Sequence, residues 1–371
     1  MIRTFHPVGQ GAFYTEQFNN GFTIVYDCGS ETNISFVENE IRNTFQKGDS
    51  IDAVFISHLH YDHINGLDFL LKYCKVKKIF LPLITLGNKI LLQIENIILF
   101  GYNPYFENFL NSLMNEDNNN INNTTIIRIP VLENETNILD NDGIYIDDIQ
   151  GNLLENTRKI RKNGLANWVF IPFNFRRTSR LSDLQARLQD LNIDINALND
   201  INAFQGLWED ITTRNNIIDA YKSISGSLNT NTMTLYSGPE INRKINYFHN
   251  HLLHHSFHHF IFWKKEDLVG CLYFGDYEAK GKQKWQNLIK HYQKYWNIVG
   301  VVQIPHHGSK YNYNRAINNN NSKFSIISSG YNNKHRHPHS ITLKDILNDS
   351  GIPIIVNEQV GSRAMFEILN I

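Results

Sequence analysis

A cluster of histidines with one aspartate constrains this chain more than any other feature of its sequence. Residues 57–63 read Ser-His-Leu-His-Tyr-Asp-His. The apolar segment 51–57 predicts a short buried strand, and the apolar stripe of residues 67–74 predicts a helix. The cluster is therefore expected on a loop between a strand and a helix, where several side chains can converge.

The residue types of this cluster are those that bind transition metals. Zinc and manganese take imidazole nitrogens and carboxylate oxygens that converge from a rigid turn. His58 and His60, at alternating positions, are expected to face one metal ion, and the adjacent Asp62 and His63 a second. The alternatives are a histidine-rich surface loop or two core histidines with satisfied hydrogen bonds, but the apolar strand before the cluster and the Asn-Gly-Leu after it argue against both.

Two segments in the second half of the chain carry residues of the same kind. Asp276 follows Leu-Tyr-Phe-Gly at the end of a predicted strand, where a carboxylate can bridge two cations. Taken singly, such an aspartate is more often a turn residue. His306 and His307 follow a predicted strand at 298–304, and burying a pair of imidazoles without partners is costly. We therefore predict a ligand role for this pair.

Together these segments resemble the metallo-β-lactamase superfamily, and most of all the branch represented by the nuclease-like domain of the competence DNA-uptake protein. The shared motifs are His-x-His-x-Asp-His at 58–63, a strand ending in Gly-Asp at 275–276, Pro-His-His-Gly-Ser at 305–309, Ser-x-Gly-x-Asn at 328–332 and His-Pro at 337–338. The opening hairpin is also similar, and its Asp27 is expected to hold a histidine of the metal loop. The resemblance implies an α/β fold, the αββα sandwich of the metallo-β-lactamase fold, with two divalent metal ions, zinc or manganese.

The resemblance also implies a role for each residue of the site. The implied metal ligands are His58, His60, Asp62, His63, Asp276 and His306. Asp276 would lie between the two ions, and His307 is the alternative to His306. Asp62 and His337 are expected to take part in catalysis, and His337 would act as a general acid or contact a phosphoryl oxygen.

The motifs of the resemblance lie in residues 1–83 and 229–371, which we predict to be the two halves of one catalytic domain, 1–371. Residues 84–228 carry helical stripes, which predict a mixed, mainly helical insertion or cap. Many members of the superfamily place a further ligand histidine after the first motif, but no histidine occurs here from residue 64 to 248. His251, His254 or His255 is the candidate for that ligand, and an exposed polar loop is the equal alternative.

The composition limits the partners of the chain. The formal net charge is −1, so no overall positive field attracts nucleic acid or anionic lipid. Cys28, Cys74 and Cys271 lie far apart in mostly apolar segments, which predicts buried free thiols and a reducing compartment. The oligomeric state stays open.

No segment of the sequence predicts export or a membrane span. The first residues lack an apolar signal core, and the most lipophilic stretch, 90–100, is too short and contains Gln93, Glu95 and Asn96. We therefore predict a cytoplasmic protein without a membrane partner.

These observations predict a metal-dependent hydrolase that acts on phosphodiesters, in nucleic acid or a small nucleotide, with a water molecule activated by two metal ions. Two basic runs, at 158–162 and 176–180, offer cations for such a substrate, although charge runs are usually solvated. Because one fold hosts many chemistries, an ester, lactone or thioester hydrolase is the alternative enzyme. A non-catalytic metal-binding sensor module is the third possibility.

Overall fold

In a computed structural model, the chain folds into two β-sheets with helices against their outer faces. The structure describes residues 1–371 except 85, 116–119, 132–142, 156–157, 166, 175–179, 195–196, 199–200, 225–231, 241–249, 255–267, 319–322 and 369–371. The strands are β1 Ile2–Phe5, β2 Gly11–Gln17, β3 Thr23–Ser30, β4 Ser50–Phe55, β5 Lys75–Pro82, β6 Asn120–Ile121, β7 Thr124–Ile129, β8 Ile144–Tyr145, β9 Ile160–Arg161, β10 Trp168–Asn174, β11 Met233–Pro239, β12 Asn250–His254, β13 Gly270–Tyr273, β14 Val299–Gln303, β15 Phe324–Ser328, β16 Ile352–Val356 and β17 Ala364–Ile368. The helices are α1 Ile34–Thr44, α2 Tyr61–Ile64, α3 Leu67–Tyr73, α4 Leu86–Phe100, α5 Pro104–Met114, α6 Arg180–Asp190, α7 Ile201–Glu209, α8 Ile211–Ser223, α9 Lys282–Tyr292 and α10 Ser340–Asn348.

Each sheet combines parallel and antiparallel strands. The first sheet has the order β12-β17-β1-β2-β3-β4-β5-β7-β6, and the second has the order β16-β15-β14-β13-β11-β10-β9-β8. Strands β13, β14, β15 and β16 are parallel to one another, as are β3, β4, β5 and β7. Because parallel strands end at the same edge of a sheet, the loops after β13, β14 and β15 emerge together.

Three apolar cores divide the molecule into four layers. Side chains of both sheets, such as Phe55 and Tyr273, fill the space between the sheets. Leu70 of α3 shares a core with Val54 on the outer face of the first sheet, and Leu288 of α9 lies in the core outside the second sheet. This is the αββα sandwich of the metallo-β-lactamase fold, so the predicted fold class is confirmed.

Strand β4 illustrates how the sequence determines these layers. Ala53 and Phe55 belong to the core between the sheets, whereas Val54 belongs to the core under the helices. This alternation follows from the two-residue period of a strand. The strand ends at Phe55, so the histidine cluster begins where the chain leaves the sheet. The strand predicted at 51–57 and the helix predicted at 67–74 correspond to β4 and α3.

Residues 84–228 contribute strands to both sheets as well as helices. Strand β7 pairs with β5 in the first sheet, and β10 pairs with β11 in the second. Periodicity does not predict β7, which is short and follows a polar low-complexity run. Helix α6 accounts for one of the helical stripes predicted in this segment.

The three cysteines are buried free thiols, as predicted from their spacing. Cys28 and Cys74 lie in the core under the helices, and Cys271 lies between the sheets. Among the described helices, none has the length and apolar character needed to cross a membrane.

Candidate metal centre

The loop that carries the histidine cluster is supported by Asp27. This residue has a φ angle of 54° and lies where the register between β2 and β3 shifts, at a β-bulge. Its Oδ1 accepts a hydrogen bond from Ser57 N at 2.6 Å, and its Oδ2 accepts one from Ser57 Oγ at 2.7 Å. His63 Nδ1 donates to Asp27 Oδ2 at 2.8 Å. These are the contacts that the resemblance implied for Asp27.

Two glycines allow the second sheet and strand β3 to approach this loop closely. A Cβ atom at Gly29 would lie 2.6 Å from the backbone of Asp62. A Cβ atom at Gly275, whose φ angle is 54°, would lie 2.5 Å from Ser57 Cβ. A larger residue at Gly275 would therefore separate the loop from the strand end that carries Asp276.

Asp276 lies among four imidazole rings, of which that of His307 is the most distant, with its Nε2 3.9 Å from Asp276 Oδ1. Its Oδ2 is 3.7 Å from His58 Nε2 and 3.6 Å from His306 Nε2. Its Oδ1 is 3.3 Å from His63 Nε2. Residues from both halves of the chain thus meet at this carboxylate.

A second group of donor atoms lies around Asp62. Its Oδ2 is 3.2 Å from His307 Nε2 and 3.6 Å from His63 Nε2. The donor atoms of Asp62, His63 and His307 all lie within 4.8 Å of one another, and so do those of His58, His63 and Asp276. His63 therefore belongs to both groups.

His306 and His307 reach the cluster from a turn in which both residues have positive φ angles, of 48° and 54°. His307 is buried, and its Nδ1 donates to Ser328 O at 2.8 Å while its Nε2 faces Asp62. His306 faces Asp276, and 28% of its side chain is exposed. The geometry favours His307 as the ligand beside Asp62, whereas sequence reasoning preferred His306.

His60 lies beside the cluster and faces Glu95 of α4. Its Nε2 is 3.3 Å from Glu95 Oε2, and both side chains are largely buried. The rings of His58 and His60 are neighbours, with centroids 4.6 Å apart. The measured distances nevertheless group His58 with His63 rather than with His60, which differs from the arrangement expected from alternation along the loop.

His337 lies next to both histidines of the 305–308 turn. Its ring centroid is 5.5 Å from that of His306 and 6.2 Å from that of His307. Asn333 fixes its backbone, because Asn333 Oδ1 accepts from His337 N and Asn333 Nδ2 donates to His337 O. Gln10 Nε2 donates to His337 Nδ1 at 3.4 Å. Burial, together with the neighbouring imidazoles, lowers the pKa of His337 to about 2, so its ring is neutral at pH 7.

The charges within the cluster depend on one another. Burial lowers the pKa of His63, but the charges of Asp62, Asp276 and Asp27 outweigh burial and raise this pKa well above its usual value. Burial raises the pKa of Asp276, but the charges of His306 and His63 outweigh it and hold this pKa well below its usual value. Because metal ligands bind as neutral imidazoles and carboxylates, a divalent cation can replace the protons on the imidazoles.

The donor atoms fit the divalent metal that the fold implies. Within the described part of the chain, His58 Nε2 and His63 Nε2 are buried without a hydrogen-bond partner, which is rare for buried polar atoms. Two donors that share a tetrahedral zinc ion lie about 3.3 Å apart. The contacts between imidazole nitrogens and the two aspartates measure 3.2–3.9 Å, which is close to that spacing.

The αββα sandwich and this cluster are of the kind found in metallo-β-lactamase-type domains. Residues 12–84 match the family model of the metallo-beta-lactamase superfamily, and this range includes the whole histidine loop. A comparison with curated proteins finds no match.

Solved structures of this fold class are similar to the chain at low identity. A long form of RNase Z from yeast is 10% identical, with a TM-score of 0.35, over 89% of this chain and 36% of that chain. A motif mutant of a metallo-beta-lactamase from Cronobacter sakazakii is 8% identical, with a TM-score of 0.29, over 80% of this chain and 74% of that chain. An archaeal metallo-beta-lactamase superfamily protein from Sulfolobus tokodaii is 16% identical, with a TM-score of 0.22, over 46% of this chain and 54% of that chain. The chain spans little more than a third of the length of the RNase Z.

Two of the three histidines expected to supply a further ligand belong to a strand that lies away from the histidine loop. His251 and His254 lie on β12, which pairs with β17 at the edge of the first sheet. Four strands separate β12 from β4 in that sheet. His255 lies outside the described residues.

Sequence reasoning did not select Glu95, although a signal was present. Gln93, Glu95 and Asn96 are polar residues in the apolar second half of helix α4, and all three are buried. Buried polar side chains need specific partners, so a polar group of this kind indicates a contact with another polar site. Its partner on the histidine loop could not be read from the sequence, because that contact is tertiary.

Proposed function

We propose that this chain is a metal-dependent phosphodiesterase or nuclease that holds two divalent ions, zinc or manganese. The observation that carries the proposal is the pair of donor groups that share His63. Two adjacent groups of this kind suit two ions that flank one reacting centre, an arrangement common in phosphodiester hydrolysis. The proposed ligands are His58, His60, Asp62, His63, Asp276 and His307, with His306 beside them.

The chemistry follows from the placement of the cluster residues. Two bound divalent cations would supply an activated water nucleophile and offset the negative charge that develops at phosphorus. Asp62, at the centre of the second group, can accept a proton from that water. Because Gln10 donates to His337 Nδ1, the ring hydrogen of His337 lies on Nε2 and can donate to a phosphoryl oxygen. A pKa of about 2 favours this role of His337 over that of a general acid near neutral pH.

The loops next to His337 carry side chains that suit a nucleotide. These exposed cations and aromatic rings are Lys310, Tyr311, Tyr331 and Arg336, whereas Lys334 is paired with Glu31 at 2.5 Å. A row of ring contacts runs from His337 to His339 at 5.0 Å and on to Tyr311 at 5.9 Å. Lys310 Nζ lies 5.0 Å from the centre of the Tyr311 ring. Aromatic rings stack on bases and cations contact phosphates, so this rim supports a nucleotide or nucleic-acid substrate over a simple ester.

The first basic run supports the proposal less than its sequence suggested. Lys159 and Arg161 both contact Glu240, at 3.1 Å and 2.6 Å, and Lys162 contacts Asp147 at 2.7 Å. These ion pairs offset much of the positive charge of the run. The second basic run lies mostly outside the described residues.

Hydrolysis of two substrate types by one preparation tests the proposal. The protein is loaded with Zn²⁺ or Mn²⁺ and assayed with a bis-aryl phosphate and with an aryl ester. We expect phosphodiester turnover that a chelator abolishes and added metal restores, and that a His58→Ala, His60→Ala double variant lacks. Ester turnover without phosphodiester turnover would contradict the proposal. Failure of the unaltered chain to bind any transition metal after reloading would contradict it as well.

A further inference from the structure

In three histidines of the metal centre, another protein group holds one nitrogen of the ring. His58 Nδ1 donates to Ser57 Oγ at 2.9 Å, His63 Nδ1 to Asp27 Oδ2 at 2.8 Å, and His307 Nδ1 to Ser328 O at 2.8 Å. In these three rings Nε2 faces the aspartates of the cluster. A ring nitrogen that donates to such a partner leaves the other nitrogen with its lone pair for a metal.

His60 shows the same arrangement with the two ring nitrogens exchanged. Its Nε2 is held from outside, because it lies 3.3 Å from Glu95 Oε2. In the neutral ring the carboxylate accepts the hydrogen on Nε2, so Nδ1 of His60 keeps its lone pair. Glu95 therefore has the same relation to His60 that Asp27 has to His63. Both partners are largely buried, and burial of a carboxylate is costly unless it is paired.

Helix α4 is attached to the histidine loop at the residue next to Glu95. Asn96 Oδ1 accepts from Tyr61 N at 2.9 Å, and Asn96 Nδ2 donates to Leu59 O at 3.1 Å. These backbone groups belong to the residues immediately before and after His60. The helix therefore cannot shift relative to His60 without breaking both hydrogen bonds, so the fold determines where Glu95 lies.

We propose that Glu95 is a positioning residue of the metal centre, which orients His60 so that its Nδ1 serves as a metal ligand. The inference rests on the proposed function, because it requires a metal ion at His60. It assigns a role in metal binding to residues 84–228, a segment without a metal-binding motif of its own. A carboxylate behind a ligating histidine makes the ring a stronger donor and fixes its orientation.

A double-mutant cycle in zinc affinity tests this inference. The affinity for Zn²⁺ is measured by competition with a chromophoric chelator for the unaltered chain, Glu95→Ala, His60→Ala and the double variant. We expect Glu95→Ala to lower the affinity for one of the two zinc ions about 10- to 100-fold. His60→Ala should lower the affinity for the same ion at least as much. The double variant should bind this ion no more weakly than His60→Ala alone.

Two further variants separate positioning from a general structural effect. Glu95→Gln keeps an oxygen acceptor, so its affinity for zinc should fall between those of the unaltered chain and Glu95→Ala. In the cobalt-substituted protein, Glu95→Ala should alter the visible spectrum, which reports the ligands of the metal rather than the stability of the fold. Glu107→Gln removes another buried carboxylate of the same segment, on α5, and is expected to bind zinc like the unaltered chain.

Additive losses of zinc affinity in the double variant would overturn the inference, because Glu95 would then contribute to zinc binding independently of His60. An unchanged zinc affinity and an unchanged cobalt spectrum in Glu95→Ala would also overturn it. If the unaltered chain binds no zinc, the proposed function itself fails. Two zinc ions bound equally well by the unaltered chain and by Glu95→Ala would overturn only the role of Glu95.

Discussion

Two buried clusters of charged side chains lie in the same sandwich, and their polar atoms are satisfied in opposite ways. In the first, between the sheets, Arg3 Nε contacts Glu16 Oε1 at 2.7 Å. Ser237 Oγ donates to Glu16 Oε2 at 2.6 Å, and Tyr273 Oη donates to Glu16 Oε1 at 2.8 Å. In the second, the metal centre, His58 Nε2 and other imidazole nitrogens face the cluster interior.

The difference distinguishes a structural ion pair from a site that is built to receive a ligand. In the cluster between the sheets, the protein itself supplies the partners of the charged groups. In the metal centre, His58 Nε2 and His63 Nε2 are buried without a hydrogen bond from any described residue. Such atoms lower stability, and in this cluster they converge beside two aspartates, which is the arrangement that a bound cation requires.

Breaking the cluster between the sheets should have the largest effect on stability. Arg3→Met leaves Glu16 buried without its cation and should lower the free energy of unfolding by about 3–5 kcal/mol. Urea denaturation measures this change. The zinc content per folded molecule should stay the same, since Arg3 lies between the sheets. The control is Arg42→Met, which removes an exposed pair with Glu38 and should cost less than about 1 kcal/mol. Equal losses in the two variants would contradict the assigned role of the buried pair.

Asp276→Asn in the metal centre should affect hydrolysis rather than folding. We expect kcat/KM for a bis-aryl phosphate to fall about 100- to 1000-fold, or about 3–4 kcal/mol, because an anionic ligand is lost. In the presence of a chelator, the free energy of unfolding should fall by less than in Arg3→Met, because His63 and His307 keep Asp27 and Asp62 as partners. A loss of stability as large as that of Arg3→Met would remove the contrast between the clusters.

Glu107 is a buried carboxylate that has neither a cation nor a metal centre beside it among the described residues. Burial raises its pKa from 4.5 to about 8. Between these pH values the folded chain holds a proton that the unfolded chain releases. The contribution of this group to the free energy of unfolding therefore falls as the pH rises from 4.5 to 8. The stability advantage of Glu107→Gln over the unaltered chain should grow by roughly 3 kcal/mol from pH 5 to pH 8. Denaturation curves at several pH values measure it, and a constant difference would contradict the prediction.

Zinc should stabilise the chain only through the second cluster, and this is the smallest of the expected effects. At a free zinc concentration 100 times the dissociation constant, binding adds about 2.7 kcal/mol to the free energy of unfolding. His63→Ala should lose most of this increment, because His63 belongs to both donor groups. Arg3→Met should keep it in full. An equal increment in His63→Ala and the unaltered chain would place the ions elsewhere.

The part of the site that could be predicted is the part encoded by local motifs. Residues 57–63 follow a strand and precede a helix, and periodicity alone places them on a loop. The Gly-Asp and Pro-His-His-Gly-Ser motifs lie at the ends of β13 and β14 for the same reason. The layers of the fold follow from strands and helices of this kind.

The part that could not be predicted depends on tertiary contacts and on backbone conformation. Whether His306 or His307 lies beside Asp62 depends on two consecutive positive φ angles, which the residue types in that turn do not predict. Glu95 becomes part of the site only because Asn96 attaches α4 to the histidine loop. The addition of β7 to the first sheet depends on an edge that β5 offers.

The turn at His306 and His307 has a consequence for how the molecule opens. Each residue adopts a left-handed backbone conformation that costs a non-glycine residue about 1–3 kcal/mol, so the turn stores strain. The hydrogen bond from His306 N to Gly275 O, at 3.0 Å, helps to hold it closed. Bound ions would add to that restraint, and their removal would leave this turn as a favoured starting point for local unfolding, ahead of the sheets on which it rests.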